Sequence, residues 1–169
     1  MRKSNHKIAI IGLGYVGLPL AVEFAKKYPV VGFDINIKRV EELSMCKDQT
    51  LEVASEDLKK VLLTPKESIS DNEIGLLTSS DVKDISSANI FIITVPTPVD
   101  KNKTPDLTPL KSASSIVSKY IQKNNIIIYE STVYPGCTEE ICVPILEKGS
   151  NLKYNKDFFC GYSPERINP

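Results

Sequence analysis

The chain has 169 residues, and its 21 lysines and arginines balance its 21 aspartates and glutamates. This length predicts one domain with a sizeable buried core, and the zero net charge gives no indication of binding to nucleic acid or an anionic membrane. No apolar run is long enough to cross a bilayer. One histidine and four cysteines without C-x-x-C spacing predict no metal site, and the cysteines are expected to be free thiols in a reducing cytoplasm.

The first predicted elements are a strand and a glycine-rich turn that opens a helix. Ile8 to Ile11 form an unbroken apolar run, typical of a parallel strand covered on both faces. A G-x-G-x-x-G turn follows, with glycines at Gly12, Gly14 and Gly17. In such a turn the first glycine permits the bend, the second lets the backbone approach a pyrophosphate, and the third lets the helix lie close to the strand. The first turn of the helix would present N–H groups to an anion.

The second predicted strand runs from Val30 to Phe33 and ends in Asp34, 22 residues beyond the first glycine. A carboxylate at this distance accepts hydrogen bonds from a ribose diol and repels a 2′-phosphate, which favours NAD over NADP. Arg39 follows on a predicted helix over Asn36 to Ser44, where it could lie along the adenosine or be an ordinary solvated charge. The inward residues of this helix are predicted to be Ile37, Val40 and Leu43.

Two other interpretations of residues 8–34 compete with a catalytic dinucleotide site. A basic start before an apolar stretch is also found in signal peptides, but glycines and prolines at turn positions and Glu23 argue against that interpretation. A Rossmann module that binds a nucleotide for sensing, without catalysis, stays open on these residues alone.

The remaining elements continue the alternation of strands and helices, which predicts an α/β fold of the Rossmann type. Its sheet is expected to be doubly wound and mainly parallel, with helices on both faces. Thr108 is predicted to cap a helix with Pro109 at its first position, and Pro144 to kink or restart another. The other predicted elements are a helix over 56–63, a helical turn over 81–86, and strands over 76–78, 89–95, 125–129 and 158–162.

In such a sheet, ligands lie outside the carboxyl ends of the strands. Those ends carry the glycine turn, Asp34, then Val95, Pro96 and Thr97, then Ser131 and Thr132, and finally Glu165. A threonine hydroxyl and a glutamate carboxylate are groups that hold or activate a water molecule. Threonines also end strands routinely, and a Pro-Glu-Arg tail could be plain surface charge.

Four segments carry a resemblance to a known family: IAIIGLGYVGLPLA, ITVPTPVD, ESTVYPGCTEE and GYSPERINP. In this order and spacing they resemble the N-terminal NAD-binding domain of the UDP-glucose/GDP-mannose dehydrogenase family, over essentially the whole chain. The VPTP and SPERINP forms are most similar to the branch that oxidises UDP-N-acetylhexosamines for surface-polysaccharide synthesis.

The resemblance implies that a sugar C6 alcohol is oxidised to a carboxylate by two hydride transfers to two NAD, through an aldehyde and a cysteine-bound thioester. Thr132 would help to place water, and Glu165 would be the acid/base partner. Glu165, Arg166 and Ile167 would lie beside the sugar nucleotide. The residues expected to line the cofactor, from the motif and the resemblance together, are Gly12, Gly14, Tyr15, Val16, Gly17, Asp34, Arg39, Val95, Pro96, Thr97, Ser131 and Thr132.

One departure from the family concerns its catalytic cysteine and lysine, which lie beyond the first domain. Cys137, Cys142 and Cys160 stand in other motifs. Residues 1–169 are therefore expected to be an NAD-binding Rossmann domain without the central helix and UDP-sugar domain, able to bind NAD but not to turn over. The parent protein is expected to be a homo-oligomer, and the isolated domain a monomer or an artificial pair.

Overall fold

A computed structural model of the chain describes residues 6–63, 73–99 and 105–163. Within these residues, parallel strands form one sheet in the order β3-β2-β1-β4-β5-β6. The strands are β1 (Ile8–Ile11), β2 (Pro29–Phe33), β3 (Gly75–Ser79), β4 (Ile90–Ile93), β5 (Ile126–Tyr129) and β6 (Phe159–Tyr162). The predicted Rossmann-type fold is confirmed, and the carboxyl ends of all these strands meet at one edge of the sheet.

Helices cover both faces of the sheet. They are α1 (Gly17–Ala25), α2 (Ile37–Ser44), α3 (Ser55–Val61), a 3₁₀-helix (Val82–Ser87), α4 (Thr108–Ser118), a π-helical turn (Thr138–Cys142) and α5 (Val143–Ser150). Pro144 lies in the first turn of α5, so the chain restarts a helix there as predicted.

Strand β1 is buried on both sides, which explains its unbroken apolar sequence. Ile8 and Ile10 belong to one hydrophobic cluster, and Ala9 and Ile11 belong to the other. The first cluster also contains Leu18 of α1, Leu43 of α2 and Leu58 of α3. The second contains Leu110 of α4 and Leu146 of α5. The strand that leads into the glycine turn is therefore fixed from both faces.

Two local predictions were wrong. Ile37 is 61% exposed, and Arg39 of the same helix is buried instead. Thr108 is the first residue of α4 rather than its cap, and Asp106 Oδ1 accepts the Thr108 N–H at 2.9 Å. In both places a charged side chain, Arg39 or Asp106, makes specific hydrogen bonds that the spacing of apolar residues does not reveal.

The described part of the chain contains no helix with the length and apolar character required to cross a membrane. All four cysteines are free thiols, as predicted. Cys137 and Cys142 are buried, whereas Cys46 and Cys160 are half-buried.

Candidate functional site

A crevice of about 690 Å³ lies at the carboxyl ends of β1, β2, β4 and β5. Its volume is typical of small-molecule and cofactor sites, which span roughly 300–1,000 Å³. Ten of the predicted cofactor residues line it: Gly12, Gly14, Tyr15, Val16, Asp34, Val95, Pro96, Thr97, Ser131 and Thr132. The topology thus brings residues from four separate segments into one crevice, at the edge where a Rossmann sheet binds its ligand.

The three glycines of the turn have different surroundings. Gly12 has a φ of +100° and donates its N–H to the Phe33 carbonyl at 2.8 Å, so it makes the bend that joins β1 to the turn. A Cβ on Gly14 would meet no atom within 4 Å, so the backbone at this position faces open space. A Cβ on Gly17 would overlap the carbonyl oxygen of Gly12 and lie 2.5 Å from Thr94 Oγ1. Gly17 therefore packs beneath the turn and does not line the crevice.

Helix α1 begins directly after the turn, with Val16 as its N-cap residue. Among the described residues no side chain caps this N-terminus, and its first turn carries no acidic residue. The positive end of a helix that opens on the crevice is a suitable place for a phosphate group.

The Asp34 carboxylate is held by two backbone N–H groups at the end of β2. Its Oδ2 accepts from Leu13 at 2.8 Å and its Oδ1 accepts from Asn36 at 2.9 Å. Each carboxylate oxygen has two lone pairs, so both can accept a further hydrogen bond from a ligand hydroxyl. Asp34 is therefore pre-oriented at the crevice wall, as the recognition of a ribose diol requires.

The opposite wall is formed by the segments that follow β4 and β5, and hydrogen bonds join the two. Thr97 Oγ1 donates to the Thr132 carbonyl at 2.7 Å, and Ser131 Oγ donates to the Val95 carbonyl at 3.1 Å. Thr132 itself is exposed at the crevice wall. These contacts and the fixed φ of the flanking prolines, Pro96 and Pro98, restrict the backbone of this wall.

Sequence reasoning missed Thr94, which lines the crevice and is 7% exposed. Its Oγ1 donates to the Gly12 carbonyl at 2.8 Å, so β4 supports the glycine turn directly. The position of Thr94 follows from the register in which β1 pairs with β4. Because Ile11 pairs with Ile93, the next residues, Gly12 and Thr94, become neighbours.

Further lining residues were also missed because their helix and loop meet the crevice only in the folded chain. Helix α4 contributes Pro109, Ser112, Ala113 and Ile116. Glu130 follows β5, lines the crevice, and accepts a hydrogen bond from Ser163 Oγ at 3.2 Å. The α4 residues add a largely apolar surface opposite the polar glycine turn.

The structure buries Arg39 beside the glycine turn. It is 9% exposed, so the alternative of a solvated charge is wrong, but it is not part of the crevice lining. Its Nε donates to the Leu13 carbonyl at 2.9 Å and its Nη2 to Asp48 Oδ1 at 2.7 Å. Arg39 thus supports the glycine turn from behind, and a direct contact with the cofactor stays a prediction.

The predicted catalytic and substrate residues Glu165, Arg166 and Ile167 lie outside the described residues. The predicted roles of Thr132 as a water-placing group and of the lining residues as cofactor contacts stay predictions.

The cysteines after β5 are poor nucleophiles at neutral pH. Burial raises the pKa of Cys142 to about 11 and that of Cys160 to about 12, and it also raises the pKa of Cys137. A thiol must lose its proton to attack a carbonyl carbon. These thiols are therefore protonated at neutral pH, and none of them lines the crevice.

The crevice fits a dinucleotide. The open space at Gly14 and the uncapped start of α1 suit a diphosphate, and the pre-oriented Asp34 suits an unphosphorylated adenosine ribose. The Val95 to Thr97 wall and α4 enclose the remaining volume with apolar and hydroxyl groups.

Comparison with known proteins gives the same result. Residues 6–169 match the UDP-glucose/GDP-mannose dehydrogenase family, NAD binding domain. The chain is 55% identical over 163 residues to a UDP-N-acetyl-D-glucosamine 6-dehydrogenase from Pseudomonas aeruginosa, and 53% identical over 163 residues to one from Salmonella typhi. Each alignment covers 96% of this chain and 36% of the relative, so the chain spans about a third of the length of these proteins.

A solved structure supports the fold. The UDP-D-ManNAc dehydrogenase from Pyrococcus horikoshii superposes with a TM-score of 0.82 at 32% sequence identity, covering 96% of this chain and 37% of that one. The match extends over nearly the whole chain. The chain therefore belongs to the UDP-glucose/GDP-mannose dehydrogenase family, of which it forms the NAD-binding domain.

Proposed function

We propose that the complete protein oxidises the C6 alcohol of a UDP-N-acetylhexosamine to a carboxylate, for surface-polysaccharide biosynthesis. In this reaction C6 gives up two hydrides to two NAD, gains one oxygen from water, and releases protons to solvent. The observation that carries the proposal is the 55% identity to a relative named as a UDP-N-acetyl-D-glucosamine 6-dehydrogenase. UDP-N-acetylglucosamine is accordingly the first substrate to test, ahead of the galactosamine and mannosamine isomers.

Different residues of the crevice would bind different parts of the cofactor. Asp34 would accept hydrogen bonds from the adenosine ribose, and the turn around Gly14 would receive the diphosphate at the start of α1. Bound NAD supplies the hydride acceptor. Apolar side chains such as Val95 and Ile116 would exclude water from the volume beyond the diphosphate.

The chemistry on C6 would need groups of this chain and of the rest of the protein. Thr132 is exposed at the crevice wall, and its hydroxyl would hold the water that supplies the second oxygen. Glu165 would act as acid and base. The nucleophilic thiol and the UDP-sugar domain would come from the part of the protein that the relatives have and these 169 residues do not span. We propose that the domain alone binds NAD without turnover.

The complete protein is further proposed to be a cytoplasmic homo-oligomer. Four unpaired thiols are in keeping with a reducing compartment. Light scattering of the complete protein would measure the assembly.

The substrate is tested by incubating the complete protein with NAD and each of the three UDP-N-acetylhexosamines, with UDP-glucose as the control. We expect two NADH for each UDP-sugar consumed, and a uronic acid product by mass spectrometry. If NADH forms only with UDP-glucose, or one NADH forms for each sugar, the proposed reaction is wrong. Thr132→Ala should slow turnover, whereas Thr138→Ala, which changes a buried threonine outside the crevice wall, should not.

A further inference from the structure

Leu13, which lies between the first two glycines of the turn, is held on both sides of its backbone by side chains. Its N–H donates to Asp34 Oδ2 at 2.8 Å, and its carbonyl accepts from Arg39 Nε at 2.9 Å. Its side chain is fully buried and packs closely on Gly32 of β2. The path of the turn between Gly12 and Gly14 therefore depends on where Arg39 places its guanidinium.

Asp48 fixes that guanidinium. Its Oδ1 accepts from Arg39 Nη2 at 2.7 Å, and the two side chains are only 10% and 2% exposed. The same carboxylate accepts from the backbone N–H groups of Thr50, Glu52 and Val53, each at 3.0 Å. Asp48 thus joins the loop before α3 to the back of the glycine turn, although this loop contains no recognisable motif.

The ion pair retains its charges in a buried position. Burial by itself would raise the pKa of Asp48, but the hydrogen bonds from Thr50, Arg39 and Val53 outweigh that effect and lower the pKa to about 2. Asp48 is therefore ionised at neutral pH. A buried ion pair needs several well-placed hydrogen bonds to offset the loss of hydration, and Asp48 has them.

Arg39 keeps its orientation even though one of its donors is unsatisfied. Its Nη1 is buried and has no hydrogen-bond partner among the described residues. Such groups are rare in folded proteins and call for an explanation. The two hydrogen bonds that the guanidinium does make, to the Leu13 carbonyl and to Asp48, hold it behind the glycine turn.

We propose that Asp48 is a positioning residue for NAD, which acts through Arg39 to set the backbone of the glycine turn that receives the diphosphate. Asp48 does not line the crevice and would not touch the cofactor. Its effect reaches the site through two contacts, from Asp48 to Arg39 and from Arg39 to the Leu13 carbonyl. The inference needs the NAD site alone and does not depend on the identity of the sugar substrate.

The test is a double-mutant cycle on NAD affinity, measured by titration calorimetry with Asp48→Asn, Arg39→Met and the double variant. Asparagine keeps the shape of Asp48, and its single carbonyl oxygen can still accept from the Glu52 and Val53 N–H groups at the Oδ2 position, so part of the hydrogen bonding of the loop before α3 is retained. We expect each single variant to raise the Kd for NAD about tenfold, and the double variant to bind as Arg39→Met does. Independent effects would instead multiply, to about a hundredfold.

A separate readout distinguishes positioning from loss of fold. In the complete protein, Asp48→Asn should raise KM for NAD and leave kcat at saturating NAD unchanged. Asp57→Asn is the matched control, because Asp57 also pairs with a cation, Lys60, but on the exposed surface of α3. It should leave both KM and Kd unchanged.

Each result decides the role of Asp48. If Asp48→Asn folds and binds NAD with the Kd of the native chain, or if the double variant binds much more weakly than Arg39→Met, Asp48 does not act through Arg39. Asp48→Asn could fail to fold because it leaves the buried Arg39 cation unpaired. Arg39→Met and the double variant lack that cation, so their Kd values for NAD can still be compared with each other. An unchanged Kd in Arg39→Met would also overturn this role.

Discussion

Gly17 lies so close to the carbonyl oxygen of Gly12 that a methyl group on Gly17 would overlap this oxygen. Gly17→Ala should therefore push α1 away from β1 and destabilise the fold by about 1–3 kcal/mol, the usual range for overpacking. A lowered urea midpoint with an unchanged slope would be the expected result. An alanine variant as stable as the native chain would show that α1 can shift without cost.

Gly14 provides the matched substitution within the same motif. A Cβ there meets no atom of the chain, so Gly14→Ala should fold with the stability of the native protein. Its methyl group would occupy space at the diphosphate position, and the Kd for NAD should rise about tenfold or more. Thermal unfolding and calorimetry on the same sample would separate the two effects. An equal loss of stability in Gly14→Ala and Gly17→Ala would contradict the assignment of Gly17 to helix packing and of Gly14 to the diphosphate site.

Asp34 should determine which dinucleotide binds. In Asp34→Asn the amide oxygen can accept from only one of the two N–H groups of Leu13 and Asn36. The substitution also removes the negative charge that repels a 2′-phosphate. We expect the Kd for NAD to rise about tenfold, since a hydrogen bond to a charged group contributes about 1.5–3 kcal/mol, and the preference over NADP to fall. Paired titrations with NAD and NADP would measure both quantities.

Asp81→Asn is a suitable control for this substitution. Asp81 also accepts a backbone N–H, from Lys83 at 2.9 Å, at the start of the 3₁₀-helix and outside the crevice wall. The Asp81→Asn variant should prefer NAD over NADP by the same factor as the native chain. A similar change in both variants would mean that the loss of charge acts at long range rather than at the ribose.

Ser114 should contribute to stability through Tyr129, with which it shares a buried hydrogen bond of 2.8 Å. Ser114 Oγ donates to the Leu110 carbonyl, so the Tyr129 hydroxyl is the donor of the shared bond. Ser114→Ala would leave that hydroxyl with the weak acceptor Cys142, at a cost of about 1–3 kcal/mol. Tyr129→Phe removes the hydroxyl itself and should cost less. Urea unfolding of the two variants checks this order, and the reverse order would contradict it.

Asp48 should make the fold sensitive to acid. Its pKa lies at about 2 in the folded chain against an ordinary 3.8, so the stability it contributes is present above about pH 4 and is lost as the pH falls towards 2. The difference corresponds to about 2 kcal/mol. Urea unfolding at stepped pH measures the free energy of unfolding of the native chain and of Asp48→Asn. The difference between these two free energies should become smaller below about pH 4. A difference that stays constant down to pH 2 would show that the Asp48 charge does not contribute to stability.

The sequence predicted the part of the site whose residues lie close together along the chain. The strand, the glycine turn, the helix and Asp34 lie within residues 8–34, and each has a local pattern with a physical cause. Val95, Pro96 and Thr97 were also expected at the ligand edge, because they follow a continuous apolar run that predicts a strand.

The missed part depends on contacts between distant segments. Helix α2 was predicted to bury Ile37, but it buries Arg39, whose guanidinium donates hydrogen bonds to Asp48 and to the Leu13 carbonyl. Neither partner can be identified from the spacing of apolar residues. Thr94 became a site residue only through the pairing of β1 with β4. Glu165, Arg166 and Ile167 lie outside the described residues, so their predicted roles stay predictions.

The hydrogen bonds that tie Thr97 to Thr132 and Ser131 to Val95 are made within the protein and need no bound molecule. In the proposed reaction a reduced cofactor must leave and an oxidised one must enter between the first and second hydride transfers. A wall held together by its own contacts keeps its shape during that exchange. In the proposed reaction, the second cofactor would therefore bind to the same surface as the first, without a rearrangement of this wall.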